Sequence, residues 1–583
     1  MLKPYLITIA LFIATLGNLF AQAPVISSFS PANGPVGTIV TVSGSNYNTT
    51  PSANIVFFGA TKANVISAAA GKLTVSVPVG ATYQPISILN TATALSGYSK
   101  VPFLVTFPSK NSISAADFDA PQSFSSGGGT YEGAIADLDG DGKTDVITVD
   151  DVEGDIAVFR NISPTTGAVT TASFAARINL HTAGDPQHIV IADLNGDGLS
   201  DIIATNQNSN KISVMVNTST TGNISFAPHA DMTIGTDVDV SAINFISIAD
   251  VDADGRPDMI LITNSEIEKN ITIIKGDGTE LDFQGGTGFT SLSVGDIDND
   301  GLPDIIVTEK GLTIYHNTTA GGVINFTPIP SIVKSTVPVT ASLGDVDNDG
   351  KLDIIEGNPV TNSDPSNASI SIYRNLSTPG NISLANNVDF ACRATDRYIL
   401  FNDMDGDGKG DIILGTGVPI QILRNTTAGG NISMTAPINI TTNLSPQWLG
   451  IGDINGDGKP DLVATDIVTN AFDVYQNDPQ STIVIQPPVI SSFTPKTAIV
   501  GATVTVNGSN FNTNTAGNIV FFGAARGTVL TASATQLTVK VPTGATYQPI
   551  AVTNTAKNLT CYSNSAFFPT FQAGSKPTNF DAK

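Results

Sequence analysis

A nine-residue phrase of alternating aspartates occurs seven times in the middle of this chain, and no other feature limits the fold as tightly. It reads DLDGDGKTD from Asp137, DLNGDGLSD from Asp193, DVDADGRPD from Asp250 and DIDNDGLPD from Asp296. It continues as DVDNDGKLD from Asp345, DMDGDGKGD from Asp403 and DINGDGKPD from Asp453. Successive copies start 56, 57, 46, 49, 58 and 50 residues apart. A period near 50 residues, with room for several short strands in each unit, predicts propeller blades. Only 13% of residues are charged, and Gly, Thr, Ser, Asn and Val run throughout, which favours β-structure with many turns.

Each unit offers four strand candidates in one order. In the first, Gly133–Ala136 precede the phrase, Val146–Val149 follow it, and Ile156–Arg160 and Ser173–Ile178 come next. The third strand recurs as ISVMVN, ITIIKG, LTIYHN, ISIYRN, IQILRN and FDVYQN. Outer strands are expected to open at SF, NF or SL, as at Ser225, Asn325 and Ser383. One outer candidate, Asp117–Phe124, lies before the first phrase, and none follows the last third strand. Seven blades therefore close only if that N-terminal strand completes the seventh, which removes the exposed sheet edges.

The phrase suits a hard cation, which takes six to eight oxygens from a tight loop. Carboxylates stand at alternate positions, the sixth-position glycine permits a sharp turn, and the variable seventh residue suits a backbone carbonyl ligand. The first loop offers Asp137, Asp139, Asp141, the Lys143 carbonyl and Asp145, and the second Asp193, Asn195, Asp197, Leu199 and Asp201. The third has Asp250, Asp252, Asp254, Arg256 and Asp258, and the fourth Asp296, Asp298, Asp300, Leu302 and Asp304. The fifth has Asp345, Asp347, Asp349, Lys351 and Asp353, the sixth Asp403, Asp405, Asp407, Lys409 and Asp411, and the seventh Asp453, Asn455, Asp457, Lys459 and Asp461. Asn195 and Asn455 are neutral donors, expected to weaken their sites. Magnesium prefers fewer protein ligands, and zinc is disfavoured because no Cys or His accompanies the carboxylates. Up to seven structural Ca²⁺ are expected. They would move the formal charge from -24 to -10, and an acidic chain of this kind disfavours nucleic acid as a partner. The bland reading of one such loop is a solvated Asp-Gly turn, but seven in phase gather too many carboxylates to stand without counter-charge.

The middle, residues 115–480, resembles the FG-GAP/VCBS repeat family of calcium-bearing propeller blades, also found in integrin heads. That resemblance implies a binding or adhesion role, although propellers of this kind also accompany some lyases and hydrolases.

The ends of the chain are near duplicates. Residues 24–107 open PVISSFSPANGPVGTIVTVSGSNYN, and residues 488–571 open PVISSFTPKTAIVGATVTVNGSNFN, in register at an offset of 464. IVFFGA recurs at Ile55 and Ile519, and GATYQPI at Gly80 and Gly544. Short alternating runs such as Thr38–Val42 and Leu73–Val77 predict a small β-sandwich. Both segments resemble IPT/TIG Ig-like domains. The second copy lacks the first of two early glycines, within Lys496–Ile499, which is expected to loosen one turn. The whole is thus read as all-β: a seven-bladed β-propeller flanked by two Ig-like β-sandwich domains.

Residues 1–23 read as a secretory signal peptide: Lys3, an apolar run from Tyr5 to Phe20, then Ala21-Gln22-Ala23. The mature chain is expected to be extracellular or at the cell surface, without a membrane span. Cys392 and Cys561 fall in different domains, so no disulfide framework is expected. In the tail, residues 572–583, NFDA at Asn579 echoes DFDA at Asp117, the possible start of a further repeat.

A ligand, if bound, is expected at the channel mouth opposite the metal loops, with polar connections between second and third strands sharing that face, such as DDVEGD after Val149. Five residues before each first Asp stand Glu132, His188, Phe245, Ser291, Thr340, Tyr398 and Trp448. Aromatics mixed with hydrogen-bonding groups suit a sugar. The plain alternative is that they plug the channel. The four histidines (181, 188, 229, 316) form no nucleophile–base motif, so catalysis is not expected, although two carboxylates suffice for glycosidic cleavage. The sequence leaves three functions open: a secreted calcium-binding module for polysaccharide or a surface or matrix partner, the propeller of a polysaccharide-degrading enzyme, or a spacer in a larger exported array.

Overall fold

The computed structural model describes residues 22–570 apart from segments 110–111, 151–152, 165–166, 208, 235–242, 264–269, 287, 333–337, 360–367, 394–397, 416–418, 443–445, 467, 478–487, 524 and 556–558. Residues 1–21 of the expected leader and the NFDA tail lie outside these residues, as do the residues between the propeller and the second Ig-like domain and parts of the connections between second and third strands. No helix among the described residues is long and apolar enough to cross a membrane. Residues 1–479 and 480–583 are separate compact units.

In the first unit, seven four-stranded antiparallel sheets follow one another. The first blade is Thr130–Ala136, Asp145–Asp150, Asp155–Phe159 and Ile178–His181, and the other six repeat this order. Second and third strands are the most buried, as in Val146–Val149 and Ile156–Phe159, because they are covered on both faces by neighbouring blades. Innermost strands of successive blades touch around the ring, and Thr130–Ala136 meets Trp448–Gly452 to complete it.

The seventh sheet is finished by the N-terminal strand Gln122–Ser125, paired antiparallel with Ala471–Val474. Side chains lock this seam. Phe124 stacks on Phe472 at 5.1 Å, while Phe159 and Phe174 of the first blade approach Phe472 edge-on at 4.9 and 5.5 Å.

Outer strands begin later than the sequence predicts. Ile178–His181, Ala230–Thr233 and Val388–Ala391 are the strands; the SF and SL residues upstream form isolated bridges, such as Asn217 with Phe226 and Asn375 with Leu384. A tight turn precedes each bridge, for example Thr220–Asn223, so the chain folds back on the third strand before it runs as the fourth. In the fourth blade the strand starts at Phe326, one residue from the expected position.

The N-terminal Ig-like domain belongs to the same unit. Seven of its strands form one sheet that curls into a barrel-like domain around Val40, Val42, Phe58, Leu73, Ile86 and Phe103, and Asn33–Gly34 pairs in parallel with Leu104–Val105 beside it. It is seated on the metal-loop face of the ring. Ser96 donates its N–H to the Gly255 carbonyl (2.7 Å), Lys100 Nζ to the Asn299 carbonyl (2.5 Å), and the Asp345 N–H reaches the Tyr83 hydroxyl (3.1 Å). Tyr83 packs against Phe401 at 5.0 Å. Ile55 lies so close to Gly198 that a Cβ there would sit 2.2 Å from its Cδ1. The IVFFG strand thus has two faces: Val56 and Phe58 fill the domain's own core, while Ile55, Phe57 and Leu89 form a separate buried cluster.

The second Ig-like domain repeats the strand order around Val504, Val506, Phe522, Leu537, Ile550 and Phe567. The expected loosening at Lys496–Ile499 does not occur: Thr497–Ile499 pairs in parallel with Phe568–Thr570. A Cβ on Gly34 would meet Thr38 at 2.6 Å, but the second copy has Ala498 facing Ala502 at the matching positions, so the added methyl has room. Cys392 and Cys561 are both free.

Candidate metal centres and ring mouth

Each metal loop joins a blade's first two strands, and the backbone closes it around the first aspartate. Asp137 accepts the N–H of Asp141 (3.1 Å) and of Gly142 (3.0 Å); Asp193, Asp250, Asp296, Asp345, Asp403 and Asp453 repeat this arrangement. The sixth-position glycine has positive φ in every loop, as the sequence implies, from Gly408 at 82° to Gly301 at 102°. The fourth position is also left-handed, and only Gly, Asn and Ala occupy it, Ala253 included at 56°. That restricted set was the sequence signal for a second tight turn.

The ninth aspartate ties the loop to the blade. Asp145 accepts the Leu138 N–H (3.0 Å) and the Asn161 N–H (2.8 Å), and the same pair of bonds recurs in all seven blades. Asn161, at the end of the third strand, does more. Its Nδ2 donates to Thr144 in its own loop (2.9 Å) and to Ile454 in the seventh loop (2.8 Å), across the ring seam. Asn217, Asn317, Asn375, Asn425 and Asn477 likewise donate to the preceding blade's loop carbonyl or its equivalent. The Asn ending most third-strand motifs was visible in the sequence; its partner, about 80 residues upstream in most blades, was not.

These residues fit a divalent cation. The donors are oxygens, and ligand atoms of Asp137, Asp139 and Asp145, of Asp296, Asp298 and Asp304, and of Asp345, Asp347 and Asp353 lie within 4.8 Å of one another. Asp347 Oδ1 is buried without a hydrogen-bond partner, an acceptor that water or a cation would satisfy. The residues that would hold an ion are the first, third, fifth and ninth of each loop with the seventh carbonyl, and what it would supply is counter-charge. One expectation needs correction: a histidine does accompany the carboxylates. His316 Nε2 lies 3.1 Å from Asp298, brought there by the third strand of the fourth blade.

Burial raises the first and ninth carboxyls above 3.8, most of them strongly. Asp137 is pushed up to about 6, Asp403 to about 7 and Asp304 to about 8, with backbone hydrogen bonds only partly opposing the effect. The metal-free fold therefore holds more protons than the unfolded chain between about pH 4 and 8. Its stability falls as pH rises through that window, while cation binding needs the ionised carboxylates and improves. The thermal midpoint in chelator is expected to drop between pH 5 and 8, and the midpoint with calcium to rise relative to it; scans at four pH values check both trends.

The first strands run toward the metal loops, so Glu132 and its six counterparts lie toward the other end of the ring. The structure joins them in neighbouring pairs. His188 Nδ1 is 2.5 Å from Glu132, and Phe245 lies over the His188 ring at 5.3 Å; all three are partly exposed. Ser291 and Thr340 are buried, and Ser291 is hydrogen-bonded to Thr308 at 2.6 Å. Trp448 is buried over Gly133, with Tyr398 packed against the same cluster. A separate open cleft of about 590 Å³ lies between the fifth and sixth blades, lined by residues including Cys392, Arg393 and Gln421.

The FG-GAP-like repeat family matches residues 137–204, 193–261, 250–307 and 403–464, and the IPT/TIG domain family matches 24–104 and 488–568. The protein is an assembly of FG-GAP-like repeats forming a seven-bladed propeller, flanked by N- and C-terminal IPT/TIG domains. No curated protein matches the chain. Similar solved structures include an auxiliary nutrient binding protein from Bacteroides ovatus (13% identity, 78% of this chain and 98% of that one, TM-score 0.30). Another is an Agrocybe aegerita lectin that recognises non-reducing terminal N-acetylglucosamine (17% identity, 67% and 90%, TM-score 0.38).

Proposed function

We propose that this is an exported calcium-bearing binding module whose ligand, a polysaccharide or surface glycan, meets the propeller mouth away from the metal loops. The observation that carries this reading is the Glu132–His188–Phe245 group. The N-terminal domain covers the metal-loop face, whereas these three remain partly exposed, offering a ring face beside paired polar groups. Trp448, Ser291 and Thr340 support it as buried frame, so Trp448→Ala is a packing lesion rather than a clean test of recognition. Export is supported by the apolar N-terminal segment ending Ala21-Gln22-Ala23.

A second contact surface is supported by the C-terminal domain. Tyr547 occupies the position of Tyr83, yet is 65% exposed, and its ring packs at 5.6 Å on Phe568, itself 52% exposed. Exposed paired aromatics of this kind suit binding to a surface partner or the spacing of modules in an array.

A glycan and matrix-polymer screen of the full chain tests the reading. Saturable binding is expected, weakened about tenfold or more by Phe245→Ala or His188→Ala with the thermal midpoint kept. Binding unaffected by both variants would move the site elsewhere, and turnover of any polymer would make the protein an enzyme.

A further inference from the structure

The metal loops differ at the third position, and so do the blades behind them. Five loops carry Asp there: Asp139, Asp252, Asp298, Asp347 and Asp405. Two carry Asn: Asn195 and Asn455. The last residue of the third strand before its terminal Asn or Gly follows the same division. It is Arg160, Lys275, His316, Arg374 or Arg424 behind an Asp loop, and Val216 or Gln476 behind an Asn loop. The structure gives this correspondence a contact. Arg160 Nε reaches Asp139 (2.5 Å) and its Nη2 reaches Asp141 (2.6 Å). Lys275 reaches Asp252 (2.7 Å), His316 reaches Asp298 (3.1 Å), and Arg374 and Arg424 bind Asp347 and Asp405 through Nε. Arg424 Nη2 continues to Asp407 at 2.8 Å.

In the second blade the asparagine takes over this last contact itself. Asn195 Nδ2 donates to Asp197 Oδ2 at 2.9 Å, where an arginine would otherwise donate. In the seventh blade Gln476 is turned away, its amide bonded to Val169 and Gly167. In the first blade the arginine binds the outer oxygen, Asp139 Oδ2, while Oδ1 faces the loop and accepts the Asp141 N–H (3.1 Å).

We infer that the third-strand nitrogen donor and the third-position residue form one charge-setting pair. It holds the outer carboxylate oxygen and gives Asp and Asn loops nearly the same net charge toward the cation. Counting the ligand aspartates and the third-strand donor only, four aspartates with one Arg or Lys, or three aspartates with Val216 or Gln476, come to a net charge of −3. The fourth loop, whose donor is His316, also has Lys100 of the first Ig-like domain 3.9 Å from Asp296. The inference reverses the expectation that Asn195 and Asn455 mark weaker sites: all seven loops bind with similar affinity. It concerns this chain's own side chains and does not depend on the proposed ligand at the ring mouth.

The test rebuilds the sixth blade as the seventh. Asp405→Asn alone leaves Arg424 unbalanced beside the ion, and that site is expected to weaken on the order of tenfold or more. At limiting free calcium, uptake by the full chain then falls by one equivalent in equilibrium dialysis. Arg424→Gln alone leaves surplus negative charge and lowers the thermal midpoint in chelator. Asp405→Asn combined with Arg424→Gln restores both the lost equivalent and the midpoint. A third-position aspartate acting only as an ion ligand gives another pattern, in which the double variant loses the equivalent as the single does. That result, or full uptake by Asp405→Asn alone, overturns the inference. If the sixth-blade variants do not fold, the reverse exchange decides. Asn195→Asp lowers the chelator midpoint and Val216→Arg added to it restores the midpoint; no restoration contradicts the pairing.

Discussion

Removal of divalent cations is expected to lower the thermal midpoint of the propeller by roughly 15 °C, reversibly on readdition of calcium. Extracellular sites of this type bind at roughly 10⁻⁴–10⁻³ M. At about 10 mM free calcium each such site then stabilises the fold by ~1.4–2.7 kcal/mol by mass action. Seven together, against the unfolding entropy of a ring of this length, give a shift on the order of 15 °C. The physical source is burial: without an ion, the first and ninth carboxylates are held charged away from water, neighbouring aspartates add to the cost, and backbone amides only partly oppose it. Scanning calorimetry with and without chelator reads the effect. An unchanged midpoint would show that the loops are self-sufficient turns.

The second large effect is expected at the seam. Phe472 is fully buried among Phe124, Phe159 and Phe174, at the place where the N-terminal strand completes the seventh blade. Phe472→Ala removes the ring on which the other three converge and leaves a cavity between the last and first blades. Truncations of that size cost about 3–5 kcal/mol. The closing strand has only four paired residues, Gln122–Ser125, so much of its hold is this cluster rather than its ladder. Urea denaturation is expected to show the loss, together with faster proteolysis before residue 122. A smaller truncation at a peripheral site, Val323→Ala, where the parent residue is 70% exposed, is expected to cost almost nothing. Equal losses at the two sites would mean that the seam is not where the ring is held shut.

Much of the architecture was legible because repetition carries it. Seven phrases in phase gave the blades, and the mismatch between outer strands and phrases placed the closing strand at the N-terminus, where Gln122–Ser125 lies. Local carboxylate spacing likewise announced the loops. What escaped was non-local. Ile55, Phe57 and Leu89 look like ordinary core alternation, and nothing in the sequence distinguishes a residue filling its own domain from one covered by a propeller loop. The outer strands were placed early because SF and SL segments have strand-like composition, yet a preceding turn uses them as bridges. His316 and the third-strand cations sat in motifs read only for strand periodicity, while their partners lay about 20 residues upstream in the metal loops.

Direct ion counting tests the central claim, that each blade is held by a cation in its aspartate loop. Equilibrium dialysis of the full chain in saturating calcium, followed by metal analysis, should give seven equivalents, and Asp461→Asn, which alters the ninth position of the last loop, should give six. No bound calcium, or a number unchanged by Asp461→Asn, would contradict it.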